Sequence, residues 1–292
     1  MTLAELYQNH DGYVSDKWSS YLAVYERVLS PLKQAPISLL EVGVQNGGSL
    51  QIWAKYFSNH QKIVGCDINP DCAKLRFDTP TISVVVGDVT DSDTLLSVAT
   101  VAPRLDIIID DGSHTSRDIV STFCALFPHL KQDGLFIVED LHCSYWLEWE
   151  GGLNTLDSSM EFFKCLADII NFEHWQSNIS RHELLERFNI PGEITEVDLA
   201  GIHSIEFVNS MCIIKRRPPQ QNTLGIRNVV GVDQNVCAVK HTNGSTSQII
   251  KDERGRLSEV FKLEQIEKSL EDHLFRVRDR LATLKSPTAQ QD

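Results

Sequence analysis

Five short apolar runs, almost free of polar interruption, set what this chain can fold into. They are SLLEVGV (38–44), KIVGCDI (62–68), ISVVVGD (82–88), LDIIIDD (105–111) and GLFIVED (134–140). A strand with one solvated face alternates apolar and polar residues. These runs do not alternate, so they read as strands covered on both faces, as in a parallel sheet. Helices are expected between them over 48–57, 71–77, 92–100 and 116–131, the first carrying Leu50, Trp53, Ala54 and Phe57 on one face. Such strand–helix alternation gives an α/β fold, a Rossmann-like doubly wound sheet. HSIEFVNSMCIIKRR (203–217) adds a hairpin turning at Asn209-Ser210. The expectation is therefore a mostly parallel seven-stranded sheet with an antiparallel C-terminal hairpin, followed by a C-terminal helix.

The main domain is expected over 1–217, with a lid at about 147–200 built from helical residues 157–171 and an aromatic- and histidine-rich stretch at 172–190. Residues 218–257 read as a linker or small irregular region and 286–292 as a tail. Between them, 258–285 form an amphipathic helix on which Leu263, Ile266, Leu270, Leu274, Val277, Leu281 and Leu284 step at three or four residues. That stripe needs a partner; a short coiled coil between copies is favoured over packing in cis, so a homo-oligomer is expected.

Charge narrows the partners. With 27 Lys and Arg against 40 Asp and Glu, the formal net charge is −13, which argues against a nucleic-acid backbone as partner. The N-terminus lacks the pattern of a signal peptide, and no apolar run reaches the roughly 18 residues of a membrane span. Seven cysteines without a CxxC pair read as free thiols in a reducing cytoplasm.

Ligands of open α/β sheets bind outside the carboxyl ends of the strands, at the switch point. The turn after the first strand reads Glu41-Val42-Gly43-Val44-Gln45-Asn46-Gly47-Gly48-Ser49. Gln45 stands where a dinucleotide fingerprint needs its second glycine, so a pyrophosphate is disfavoured. S-adenosylmethionine has no phosphate and carries a sulfonium and an ammonium. The acid Glu41, the glycines Gly43 and Gly47, and Ser49 suit it. Asp67, ending the second strand, is placed for the ribose hydroxyls and Asp88, ending the third, for the adenine amine; Asp110 is counted with this set. The alternative is that Asp67 and Asp88 simply cap nearby amides.

The fourth run ends in Asp110-Asp111-Gly112-Ser113-His114 and the fifth in Glu139-Asp140-Leu141-His142. On neighbouring strands, Asp111, Glu139 and Asp140 converge, and carboxylates about 4 Å apart cost on the order of 4 kcal/mol at a surface-like dielectric. A hard divalent cation, Mg²⁺ or a similar metal, removes that cost and leaves positions for substrate oxygens. His114 sits where a general base could take a proton from a metal-bound hydroxyl. His142, Tyr145 and Trp146, with Cys143 and Trp149, either shape a wall for a sugar acceptor or pack the lid. The competing account makes Asp110 and Asp111 helix caps and Glu139 and Asp140 solvated strand ends.

Together LLEVGVQNGGSL, VGCDINPDC, IIDDGSH and GLFIVEDLH resemble the metal-dependent sugar O-methyltransferases of macrolide antibiotic biosynthesis, of the mycinamicin and macrocin type. The cephalosporin hydroxylase family shares similar segments. The resemblance covers about 13–217. It implies metal ligation by Asp111, Glu139 and Asp140, His114 as base, and a place near the cofactor for Ser15-Asp16-Lys17. The tail beyond 218 departs from those enzymes. The expected activity is a Mg-dependent, S-adenosylmethionine-dependent O-methyltransferase acting on a hydroxyl of a sugar or polyol in a glycosylated natural product or polysaccharide. Two alternatives stand beside it: a Rossmann oxidoreductase or hydroxylase relative, and a non-enzymatic assembly protein acting through its C-terminal helix.

Overall fold

The computed structural model describes residues 1–175, 177–190 and 194–246, with helical positions scattered between 267 and 285. It contains two compact units, one of residues Met1–Phe172 with Ser180–Thr223, the other of Glu173–Ile179 with Leu224–Asp292. The first unit therefore runs slightly past the expected boundary at 217 and excludes seven residues of the expected lid.

The first unit is built on seven strands: β1 (Ser38–Val42), β2 (Lys62–Asp67), β3 (Ile82–Val86), β4 (Leu105–Asp110), β5 (Leu130–Val138), β6 (Ile202–Val208) and β7 (Met211–Arg216). Their order is β3-β2-β1-β4-β5-β7-β6. β1 to β5 are mutually parallel, and β7 pairs antiparallel with both β5 and β6. This is the expected sheet, hairpin included, with Asn209 and Ser210 at the turn and Ser210 in the left-handed region.

Eight α-helices flank it among the described residues: α1 (Leu3–Gln8), α2 (Ser19–Leu29), α3 (Gly48–Tyr56), α4 (Ser92–Val101), α5 (Ser116–Leu126), α6 (Ser159–Ile170), α7 (Arg181–Leu185) and α8 (Glu196–Ala200). Two helical expectations are corrected. The stretch 71–77 is a 3₁₀ turn over Pro70–Lys74. The helix expected to reach 131 stops at Leu126 because Pro128 cannot continue the hydrogen-bond ladder; β5 starts at Leu130.

Strand register sorts the side chains. Val42 pairs with Asp110 and Asp110 with Val138. Residues paired across a parallel ladder share a face, so Leu40, Val42, Ile108, Phe136 and Val138 lie on one side of the sheet, where α5 and α6 contribute Phe123, Phe162, Phe163 and Leu166. Leu39, Ile107, Ile109 and Ile137 lie on the other, against Leu3, Tyr21, Tyr25 and Trp53 of α1, α2 and α3. Of the stretch expected as a lid, α6 is thus a layer of the core, with Phe162, Phe163, Leu166 and Ile169 buried.

Among its described residues the second unit holds one antiparallel bridge, Ile226 with Thr246, flanked by Arg227 N–H donating to the Ser245 carbonyl at 2.8 Å. Leu270, Leu274, Val277 and Leu281 are helical. Residues 247–257 of the expected irregular region, Leu263, Ile266 and Leu284 of the apolar stripe, and the 286–292 tail lie outside the described residues. Among the described residues no helix is long and apolar enough to cross a membrane.

Candidate active site

β1 and β4 are the neighbours at which strand order reverses, and past their carboxyl ends lies a cavity of about 500 Å³. Gly43 lets the loops after β1 and β4 lie against each other at its rim. Its φ is +89°, and a Cβ there would stand 2.0 Å from the Asp111 carbonyl oxygen. Gly48 does the same for the N-terminal segment: an added Cβ would meet the Tyr13 carbonyl oxygen at 2.2 Å, and its own N–H donates to Val14 at 3.2 Å. Val14, Ser15, Asp16, Lys17 and Trp18 consequently line the cavity.

The register places Glu41, Asp111 and Glu139 on the face that α2 covers. Lys17, two residues ahead of that helix, drops its ammonium among them. Nζ is 2.7 Å from Glu139 Oε1 and 3.2 Å from Glu41 Oε1, and it bonds Asp111 Oδ2. Lys17 is 2% exposed and Glu139 1%, whereas Asp111 is 21% exposed and opens onto the cavity. Tyr25, two turns on, donates to Glu139 Oε1, and Ser49 Oγ donates to Glu41 Oε2 at 2.6 Å. Burial raises the carboxyls of Glu41 and Glu139, the latter to about 8, against the opposing pull of the ammonium. Lys17 itself is held well above its ordinary value by its three carboxylates, which outweigh its burial.

A second group forms beside the first. Asp111, His114 and Asp140 bring one oxygen or nitrogen each within 4.8 Å of one another, all three partly exposed. His114 Nε2 lies 3.6 Å from Asp140 Oδ2 and 3.9 Å from Asp111 Oδ1. The Tyr21 hydroxyl donates to Asp140 Oδ1 at 2.6 Å and stands 2.7 Å from Ser210 Oγ, which in turn is 2.5 Å from His142 Nδ1. The His142 ring meets Trp18 and Trp146 edge-on. Gln45, His114 and Asp140, each just past the end of a strand, have φ of +50°, +61° and +53°. Left-handed backbone is costly for side-chain-bearing residues, and such outliers gather where function holds them.

The other expected residues divide. Asp67 lines the cavity, but its carboxylate also caps the loop: Oδ2 accepts from Val44 N–H at 2.7 Å and Gln45 N–H at 3.0 Å, and Oδ1 from Asn69 N–H at 2.8 Å. The capping alternative for Asp67 is thus what its contacts show; a carboxylate offers about four acceptor sites, so the same group keeps capacity toward the cavity. Ser49 and Gly43 line the cavity too. Glu41 does not present itself to a ligand; it is fully buried and bound to Lys17 and Ser49. Gly47, at φ +81°, starts α3 and lies against Leu75 and Phe77. Asp88 closes a local turn with Thr90 and is outside the cavity lining. Asp110 points to the opposite face of the sheet from Asp111; it is buried there, Oδ2 has no partner, and burial raises its carboxyl to about 8. Tyr21, Tyr25, Trp18 and Ser210 were not among the expected residues. The spacing Lys17-x₃-Tyr21-x₃-Tyr25, one polar tip per helical turn, is the signal that carries three of the contacts.

As to what could be held here, the cavity is lined by Asp16, Asp67, Asp111, Glu139 and Asp140 against the single ammonium of Lys17. A cationic ligand and a divalent metal both suit that imbalance. The carboxylates of Asp111 and Asp140, facing the cavity with His114 beside them, fit a metal; Glu139 would join them only by giving up part of its bond to Lys17.

A seven-stranded sheet in this order, with its cavity at the switch point, is the class I methyltransferase fold. Residues 40–141 match the model of a methyltransferase domain family. The chain is 32% identical over 213 residues to the 8-demethyl-8-alpha-L-rhamnosyl tetracenomycin-C 2'-O-methyltransferase of Streptomyces olivaceus, covering 70% of this chain and 52% of that one. It is 31% identical to the mycinamicin VI 2''-O-methyltransferase of Micromonospora griseorubida, covering 63% of this chain and 46% of the relative. The chain thus spans about half the length of the curated relatives it matches. Among solved structures, the MycE methyltransferase of the mycinamycin biosynthetic pathway, in complex with Mg and SAH, superimposes with a TM-score of 0.62 at 24% identity, over 76% of this chain and 56% of that one. The resemblance to sugar O-methyltransferases of glycosylated natural products holds on these comparisons.

Proposed function

We propose that this chain is a metal-dependent O-methyltransferase that uses S-adenosylmethionine to methylate a hydroxyl of a sugar or polyol in a glycosylated natural product or polysaccharide. The observation that carries the reading is the joining, in one cavity at the switch point, of Asp67 and the glycine turn with the Asp111–His114–Asp140 group. The names of the relatives support the acceptor class.

When bound, S-adenosylmethionine supplies an electrophilic methyl group, and a divalent cation held by Asp111 and Asp140, with Glu139 behind them, lowers the pKa of the acceptor hydroxyl. The residues do the rest. Asp67 holds the amides of Val44 and Gln45 and keeps acceptor capacity for a ribose. Gly43 lets a ligand approach the backbone. His114 takes the hydroxyl proton as the oxygen–methyl bond forms and the methyl–sulfur bond breaks. The acidic lining stabilises the positive cofactor, and the N-terminal segment 14–18 walls the cavity. The helical apolar positions Leu270, Leu274, Val277 and Leu281 support self-association, and seven cysteines outside any disulfide suit a cytoplasmic enzyme.

Calorimetric titration with S-adenosylhomocysteine, and separately with NAD, tests the reading in the presence of Mg²⁺ or chelator. Binding of the adenosyl compound and not of NAD is expected. Binding of NAD alone would return the chain to the oxidoreductase alternative.

A further inference from the structure

The two carboxylates that face the cavity beside His114 are each held by one oxygen. Lys17, just ahead of α2, bonds Oδ2 of Asp111, and Tyr21, within α2, donates to Oδ1 of Asp140 at 2.6 Å. One oxygen of each acid is left on the His114 side: Asp111 Oδ1 lies 3.9 Å and Asp140 Oδ2 3.6 Å from His114 Nε2. At Asp140 the hold is tight. The Tyr21 hydroxyl also accepts from the Asp140 N–H at 3.2 Å and meets Ser210 Oγ at 2.7 Å, so one buried phenol fixes both the main chain and the side chain of that residue. His142 Nδ1 stands 3.8 Å from the same Oδ1, on the side away from His114. Asp140 therefore has no freedom to turn both oxygens toward the cavity while Tyr21 keeps its bond.

We infer that Tyr21 is a positioning residue that selects the cation: by occupying Oδ1 of Asp140 it denies a large ion the two-oxygen grip and leaves the cavity to Mg²⁺ over Ca²⁺. The inference rests on the metal-dependent reading and deepens it. The two ions ask different things of carboxylates. Mg²⁺ is bound through one or two of them in octahedral geometry and keeps several waters. Ca²⁺ takes about six to eight oxygens, commonly both oxygens of one carboxylate, and tolerates irregular geometry. A pair of acids offering one oxygen each meets the first demand and fails the second. Hydrogen-bond partners of ligating groups change metal affinity by about 10–100-fold, enough for one hydroxyl to decide between the ions. Lys17 constrains Asp111 in the same sense, but its ammonium also serves Glu41 and Glu139; the Tyr21 hydroxyl is the constraint that one atom's removal isolates.

The test reads free Mn²⁺ by electron paramagnetic resonance with the full chain, and displaces it with Mg²⁺ or with Ca²⁺. The wild type is expected to bind Mg²⁺ at least about fivefold more tightly than Ca²⁺. Tyr21→Phe removes the hydroxyl and leaves the buried ring in place. It should weaken Mg²⁺ about tenfold and lower the ratio of the Ca²⁺ to the Mg²⁺ dissociation constant at least about fivefold. A merely structural loss weakens both ions alike, so an unmoved ratio overturns the inference, as does a wild type that prefers Ca²⁺. Ser210→Ala deletes the other partner of Tyr21 while leaving its bond to Asp140, and should keep the ratio within about twofold of wild type. An equal shift in Ser210→Ala overturns the inference as well, because loosening of the hairpin tip then accounts for both. Failure of the metal reading looks different: the wild type binds no Mn²⁺, or Asp140→Asn binds it undiminished. That result removes the cation from the proposed function and the selection with it, whereas bound Mn²⁺ with an unmoved ratio removes the selection alone.

Discussion

Replacing Lys17 with methionine removes the only ammonium from a cluster of three carboxylates while keeping the length of the side chain. At an effective dielectric of about 20, separations of 2.7 and 3.2 Å to Glu139 and Glu41 correspond to attractions of ~6 and ~5 kcal/mol. Desolvation of the ammonium offsets several kcal/mol of this, and removing one partner of a buried pair costs roughly 3–5 kcal/mol in the end. The pH dependence follows from the carboxyls. Lys17 is raised above its ordinary value, so its contribution is fully present throughout the neutral range and is lost only as pH climbs through its folded-state pKa. Glu41 and Glu139 are raised by burial, so an uncompensated folded state takes up a further proton, and its handicap grows with pH above the carboxyl's unfolded value. One such proton is worth about 1.4 kcal/mol per pH unit. Urea unfolding followed by far-UV circular dichroism at pH 5 and pH 8 should show Lys17→Met destabilised by about 3–5 kcal/mol at pH 8 and distinctly less at pH 5. A loss below about 1 kcal/mol at pH 8, or equal losses at both, would refute the account of the cluster.

Three further outcomes are expected. Asp110→Asn removes a buried acid raised to about 8, whose folded state loses stability as pH rises from its unfolded value toward 8; the variant should therefore gain stability over wild type at pH 9, by a few kcal/mol at most, and little at pH 5, as read by denaturant midpoints. Asp140→Asn should abolish metal-dependent methyl transfer, at least about a hundredfold, with S-adenosylhomocysteine affinity within about twofold of wild type; retained turnover would remove Asp140 from the metal. His114→Ala should lower kcat by about 10²–10⁴ and flatten the acidic limb of its pH profile, and an unaltered profile would show that another group takes the proton.

The sheet was readable because its strands are apolar on both faces, and the hairpin because Asn209-Ser210 interrupts two strand-like runs. The acids at strand ends were readable as a set, but not their separate duties. Asp110 and Asp111 are adjacent in the chain and lie on opposite faces of the sheet, a distinction made only by the register of β4 with β1 and β5. Glu41 looks like a ligand for a cationic cofactor until Lys17 is seen beside it, 24 residues earlier in sequence and held there by the close approach of Val14 to Gly48. Tyr21 and Tyr25 meet Asp140 and Glu139 across more than a hundred residues, beyond what local periodicity conveys. The early end of α5 was available in Pro128.

Gln45, His114 and Asp140 share a backbone conformation that glycine adopts freely and side-chain-bearing residues resist. A library selected only for heat resistance should therefore drift toward glycine at all three positions. Each such drift would relax the chain and erase a carboxylate, an imidazole or an amide from the cavity rim. Engineering this protein for robustness and engineering it for turnover accordingly pull in opposite directions at the same three residues.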